Sequence, residues 1–521
     1  MIEPRRRLTL LAAIMGSFVV SLDATVVNVA LPAIANDLGG GLAGQQWVAN
    51  AYLLALGSLI LIGGSLGDIF GARRMFSLGV AGFGAVSALC AMSPSIELLV
   101  AGRALQGVFG ALLTPSALAV IVTAFPPDKR GAAIGSWTAW SGIGTVIGPL
   151  AGGWLVDAAS WRWIFAINVP FVLVTLGLVA VAVPARSRER PHTRVDWPGA
   201  VLTALGLAGP VLALVRQPEV GWGSPQVWGG GLAGIALLGS FVVRQAHAAH
   251  PMLPLKLFRR RNFAGGNAQT FVMYAGLSMT FFLLVLFLQQ VAGYSALQAG
   301  MATMPVTLVM FAFSKQAGAL AERFGPRRFM GGGPLVAAVG LAYLTAMDAD
   351  VDYTREMLPG LLLFALGLAA TVAPLTATVL ADAGEENAGI ASGVNNAVAR
   401  VAGLLGVAAL GALIIAQFNA SLERSIGAGG SEAAVALRDA RDRGLATLPA
   451  DQDPRMRAAV TQASVDAYRL GMGSAATLVA LGGVLGLVGI QDPRRTVRSD
   501  DARGESAASV VAHWRNRNAQ V

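Results

Sequence analysis

Gly64-Ser-Leu-Gly-Asp-Ile-Phe-Gly-Ala-Arg-Arg74 returns, at a constant offset of 254 residues, as Gly318-Ala-Leu-Ala-Glu-Arg-Phe-Gly-Pro-Arg-Arg328. Glycine, leucine, phenylalanine, glycine and the arginine pair coincide, and Asp68 falls opposite Glu322. Two half-molecules related by such a repeat are a known plan for secondary carriers. The offset is long for six helices, and two further apolar runs of about 20 residues each account for the excess as an insertion between the halves.

Around both copies the chain is apolar. Of 521 residues, 55% are hydrophobic and 13% charged, against about 25% charged in a soluble domain. Apolar runs recur from Leu8 to Ile490, each long enough to cross a hydrocarbon core of ~30 Å. In lipid only helices or closed barrels satisfy the backbone, and long runs without strict alternation mean helices. The reading gives fourteen spans: 8–34, 47–66, 76–93, 96–121, 131–156, 162–183, 197–215, 227–246, 262–290, 297–320, 330–347, 357–381, 388–416 and 467–490. Arg5, Arg6 and Arg7 resemble the start of a signal peptide, but the run to Ile34 is too long for one and reads as an uncleaved first span.

The net charge of +9 does not indicate nucleic acid, because the basic residues are dispersed between apolar runs. With the N-terminus inside, the even-numbered connections carry Arg73 and Arg74, Lys129 and Arg130, Arg186 to Arg194, Lys256 with Arg259 to Arg261, and Arg327 and Arg328. The short outer connections hold little beyond Arg162, Arg216 and Arg355. That asymmetry is the positive-inside pattern, and it predicts cytoplasmic termini. Segment 417–466 is the one long outer loop, and 382–387 is an acidic inner connection. The lone cysteine, Cys90, excludes an intrachain disulfide framework and a multi-cysteine metal cluster. Arginine greatly exceeds lysine, and alanine and glycine abound, which points to a GC-rich bacterial genome and hence to a bacterial plasma membrane.

The repeated loop resembles the connection between helices two and three of the major facilitator superfamily. Further segments resemble its fourteen-helix drug:proton antiporter branch: Leu22-Asp23 to Pro32 in the first helix, Arg103-Ala-Leu-Gln106-Gly107 in the fourth, Gly148-Pro149-Leu-Ala-Gly152-Gly153 in the fifth, Asp196-Trp197-Pro-Gly199 opening the first inserted helix, and Gly393 to Arg400 in the thirteenth. The similarity runs from about residue 8 to 490. It implies an all-α membrane fold of two pseudo-symmetric six-helix bundles, 1–183 and 262–490, with an insertion over 184–261 and a cytoplasmic tail over 491–521. It further implies gradient-driven drug export without a cofactor by a monomer, with Gly148, Pro149, Gly152 and Gly153 as the antiporter motif. Asn28, Gln106, Asn396 and Arg400, polar residues of the matching motifs, are the candidates to line a substrate cavity.

The residues themselves bear on the power source. The three lysines, Lys129, Lys256 and Lys315, do not sit in a Walker A loop, so ATP hydrolysis is not expected. Asp23 is the one carboxylate deep inside a span. An embedded charge costs several kcal/mol and is by default a functional hypothesis, since burial disfavours the charged form and lets such a group exchange protons near working pH. The competing reading is a structural aspartate fixed by hydroxyls such as Thr25. Arg103 is the natural partner. A rise of 1.5 Å per residue puts Asp23 ~22 Å from the inner end of its helix and Arg103 ~10 Å from the outer end of the oppositely directed fourth helix. In a ~30 Å core those depths nearly coincide. Arg400 has no acidic neighbour in sequence and binds either substrate or helix carbonyls.

Gly144, Gly148 and Gly152 form one smooth helix face for close packing, with Pro149 as a bend. Asp68, Arg73 and Arg74, with Glu322, Arg327 and Arg328 of the second copy, are placed to lock the halves at the cytoplasmic rim. Membrane anchoring explains the arginines equally well, but not Asp68. Trp47, Tyr52, Trp137, Trp140, Phe271 and Tyr274 read first as belt or core. One deep acid against two deep arginines leaves a cavity that is not negative. The expected substrates are therefore neutral, zwitterionic or singly charged amphiphiles rather than dications. The resulting expectation is a proton-coupled exporter, not an enzyme. The rivals are a dedicated exporter of one metabolite, lipid or self-made antibiotic, and a membrane-embedded sensor or enzyme.

Overall fold

The two repeated glycines, Gly71 and Gly325, adopt the same backbone conformation, φ 93°, ψ 131° and φ 94°, ψ 136°. An L side chain rarely takes that φ, so glycine is what the turn requires in each copy. Each turn joins two long helices: α2 (Gly41–Phe70) to α3 (Ala72–Ala91), and α11 (Ala296–Phe324) to α12 (Pro326–Leu344). The computed structural model describes residues 2–183, 196–248, 251, 253–383, 388–426, 445 and 453–492, and its regular structure is helical.

The remaining helices are α1 (Ile2–Leu38), α4 (Ile96–Ala124), α5 (Pro127–Ala158), the short α6 (Trp163–Ala166), α7 (Asn168–Ala182), α8 (Trp197–Val220), α9 (Pro225–His247), α10 (Arg261–Gln290), α13 (Leu358–Ala383), α14 (Ala388–Ile426) and α15 (Pro454–Gly489). Among the described residues, eleven spans are long and apolar enough to cross a membrane, α6 and α7 together making one. Helices α2, α5 and α12 overlie the predicted spans 47–66, 131–156 and 330–347. Side chains such as Leu173, Leu232, Ile235, Phe311 and Val339 are exposed. A surface this apolar suits lipid rather than water.

Two predicted boundaries change. The sixth span breaks at Ile167 into α6 and α7, because Pro170 has no N–H to donate to the Ala166 carbonyl. The predicted outer loop 417–466 is shorter than expected. α14 runs on to Ile426 and α15 already starts at Pro454. Glu423, Arg424 and Asp466 lie on these helical extensions, which a hydropathy reading misses because they are polar. Ser421 of α14 donates to the Asp466 carboxylate of α15 and so ties the two extensions together, while Gln462 of α15 donates to the same carboxylate at 3.0 Å. Residues 184–195, 384–387, most of 427–452 and the tail beyond 492 lie outside the described residues.

Where helices cross, a missing side chain sets the distance. A Cβ at Gly63 would stand 1.9 Å from the Ala111 carbonyl oxygen, and one at Gly107 would stand 2.4 Å from that of Tyr52. This pulls α2 and α4 together. Gly340 and Gly367 do the same for α12 and α13. In lipid such close packing replaces the hydrophobic effect as the force joining helices. Buried residues of α1–α5 and α7 form one core cluster, and a second, larger one is built mainly from α10–α15. Helices α8 and α9 pair with each other, and α8 packs on α2 and α14 through Leu207, Val211 and Val215. Asp196 caps α8 and also accepts from Arg244 and Gln245 of α9.

Candidate functional site

Asp23 is fully buried in α1 and carries an ion pair to Arg103 of α4 at 2.5 Å. Every donor around it comes from another helix. Gln106 Nε2 approaches Oδ1 at 3.2 Å and Asn168 Nδ2 at 3.0 Å. Ser87 accepts from both of those amides, at 2.7 and 3.3 Å. Arg103 is equally committed. Its Nη1 also donates to Gln106 Oε1 at 2.9 Å, its Nε donates to the Val48 carbonyl at 3.1 Å, and the guanidinium lies 4.4 Å above the Tyr52 ring. A carboxylate and a guanidinium taken out of water together cost little only when their remaining polar atoms are satisfied, and here α2, α3, α4 and α7 supply the surrounding partners. Thr25 does not take part. Its hydroxyl donates to the carbonyls of Ser21 and Leu22.

Gln106, expected to line a substrate cavity, is fully buried in this cluster instead. The sequence reading missed Asn168 and Ser87. An amide inside an apolar span was a visible signal of the same kind that marked Asp23, but its target, 145 residues away, was not visible.

The second feature is a cavity of about 330 Å³ lined mainly by α10, α13 and α14, with Leu53 of α2. Asn396 and Arg400 line it, as expected, and Tyr274 does too. Asn28 is half-buried in α1 and does not belong to the lining. Asn395, at the cavity wall, donates to Asn267 and to the Thr270 hydroxyl at 2.8 Å. Tyr52, against Arg103, is adjacent in sequence to Leu53, so α2 runs from the ion pair to the cavity.

The glycine motif of α5 has two working faces. Gly144, Gly148 and Gly152 pack on Phe18, Thr25 and Val26 of α1, whereas Pro149 and Gly153 meet Gly300, Ala296 and Leu297 of α11. One turn on, the Asp157 carboxylate accepts from the Ser295 hydroxyl at 2.6 Å and from the backbone N–H groups of Ala296 and Leu297 at 3.1 and 2.8 Å. The α11 N-terminus is thereby capped from across the bundle. Gln46 donates to the Val407 carbonyl at 2.7 Å and Gln289 to that of Val29 at 2.9 Å. All these crossings lie toward the bundle end where α1 finishes.

At the opposite end, the Asp68 side chain lies outside the described residues. Arg73 donates to the Ala180 carbonyl and Arg327 to that of Leu487, each within its own half, while Arg74, Glu322 and Arg328 are exposed. The Asp382 carboxylate accepts from the Phe263 N–H and so faces the start of α10 rather than the cavity. Trp137 donates to Ser17, and Trp140 and Phe271 are exposed.

Residues 13–407 match the Major Facilitator Superfamily. The chain is 35% identical to the tetracenomycin C resistance and export protein of Streptomyces glaucescens, covering 90% of this chain and 88% of that one. It is 36% identical to a probable actinorhodin transporter of Streptomyces coelicolor (85% and 79%) and 34% identical to the multidrug resistance protein Stp of Mycobacterium tuberculosis (80% and 77%). Its fold is similar to that of a bacterial homolog of the human lysosomal transporter Spinster, with a TM-score of 0.68 at 18% identity over 93% of this chain and 97% of that one.

Proposed function

The chain belongs to the major facilitator superfamily, and from that premise we propose that it is a proton-coupled antiporter exporting amphiphilic drugs or antibiotics across the bacterial plasma membrane by alternating access. The observation that carries this reading is the buried Asp23–Arg103 pair, an embedded carboxylate bonded by Arg103 and Gln106 of α4 and by Asn168 of α7. Proton uptake by Asp23 removes the charge that Arg103 pairs with, freeing α1 to move against α4. Deprotonation restores the pair. Such coupling requires a two-state element that both proton and substrate bias.

In this proposal α2, α5 and α12 cross the membrane with the other spans. The total is then fourteen, as two six-helix halves and the inserted α8–α9 pair, with both termini in the cytoplasm. The hydrogen bonds of Gln46, Asp157 and Gln289 then close the outer side, which supports an inward-facing state for this conformation. The protein works as a monomer, without ATP, and the Arg400 cavity receives the substrate. The relatives named for one antibiotic keep a dedicated exporter of a single compound as the second reading.

Replacing Asp23 with Asn tests the coupling. In everted vesicles the variant is expected to insert normally and to lose gradient-driven dye accumulation almost entirely. Near-normal pumping by D23N would remove Asp23 from the mechanism.

A further inference from the structure

Among the described residues, the cavity lining has one charged residue, Arg400, and no carboxylate. Among the described residues Arg400 forms neither an ion pair nor a hydrogen bond. Asp23 cannot answer it, since that carboxylate is already engaged by Arg103, Gln106 and Asn168. The two buried charges of the first half cancel, and among the described residues the fixed charge at the cavity is that of Arg400.

The α2 face packed against Arg400 carries a second unanswered group, outside the cavity lining. Gln46 on this face bonds α14 at Val407, and a Cβ at Gly57 would lie 3.4 Å from Arg400 Cβ. Asn50 lies between these two positions on the same helical face, one turn from the cavity-lining Leu53. It is fully buried, and neither of its side-chain amide atoms has a partner. A buried amide left unpaired is costly, and a guanidinium in a low-dielectric pocket favours an oxyanion over a neutral acceptor. Leu53, Val379 and Leu380 supply apolar wall beside these groups.

Building on the exporter reading, we infer that the cavity selects organic anions: amphiphiles whose single acidic oxygen group, a carboxylate or an acidic phenol, pairs with Arg400 while the apolar body lies against Leu53, Val379 and Leu380. Cationic amphiphiles meet an uncompensated positive charge and are excluded.

The test uses the full-length protein and three probes sharing one fluorescent naphthyl body: the carboxylate, its carboxamide and a trimethylammonium analogue. Binding is measured on purified protein, and transport is measured in proteoliposomes under a proton gradient. The carboxylate is expected to bind at least tenfold tighter than the carboxamide, and the trimethylammonium probe weakest. Arg400→Gln is expected to erase the carboxylate preference, and Arg400→Lys to keep part of it. Equal binding of the three probes by the unmodified protein, or tighter binding of the cation, overturns the inference without any variant being needed. So does an unchanged preference in R400Q. Failure of the exporter reading is distinct: the carboxylate would bind preferentially yet not move with the gradient.

Discussion

Arg103 shows how much one side chain is asked to do. It pairs with Asp23, donates to Gln106 and to the Val48 carbonyl, and stacks on Tyr52. Removing one partner of a buried pair typically costs ~3–5 kcal/mol, because the other charge is left alone. Arg103→Ala is therefore expected to lower thermal stability measurably and to abolish uphill transport. Lysine restores the charge but cannot hold the Val48 bond and the flat stacking together, so Arg103→Lys is expected to fall between the two. Transport by R103A equal to that of the unmodified protein would make Arg103 a bystander. At this scale the sequence located the pair, since a charge deep in an apolar run stands out by itself. It could not show that Gln106 turns toward the pair rather than the cavity, because that orientation depends on where Ser87 and Asn168 arrive.

Among elements, the contact of α5 with α11 is the most exposed to test. Asp157 caps α11 from across the bundle, and losing an N-cap costs roughly 1 kcal/mol, about a fivefold shift between two states. In the proposed orientation this contact closes the outer side, and Asp157→Ala is then expected to shift the resting population toward outward-open. Asn396→Cys on a Cys90→Ser background should then label more slowly from the cytoplasmic side. An unchanged labelling rate would mean that the cap is not part of the closure. The inserted pair offers a second test. Burial works against the Asp196 charge, yet the hydrogen bonds from Arg244, the Gly199 N–H and Gln245 hold its carboxyl below the usual range. A depressed folded pKa means stabilisation in place above the ordinary carboxylate range and lost as pH falls through the folded value. Asp196→Asn is expected to lower the melting temperature by a few degrees near neutral pH and to flatten its acid dependence. A melting curve that keeps the same acid dependence would show that Asp196 does not hold the hairpin. The opening motif of α8 was legible in the sequence, whereas its partners on α9 were not.

For the whole molecule, the proposed proton coupling is bounded by the count of buried acids. Among the described residues the buried carboxylates are Asp23 and Asp196, and Asp196 sits at the start of α8. With Asp23 as the proposed carrier, one proton per substrate is the expected ratio. A reversal-potential measurement in proteoliposomes is expected to return a ratio of one, and a ratio of two would require a second acid. The long apolar runs and the alternation of basic connections were enough to establish a helical membrane protein, because burial in lipid demands long uncharged segments whatever their packing, and the repeat led to the expectation of two related halves. Gly71 and Gly325 were legible for the same local reason, as each turn's φ is fixed by its own residue. The tertiary structure alone decided that α6 and α7 bring Asn168 to Asp23, that Pro149 and Gly153 face α11 while their neighbours face α1, and that among the described residues Arg400 has no counter-charge. Those facts depend on contacts between residues far apart in the chain, and a periodic apolar pattern specifies that a helix is buried without specifying what it is buried against.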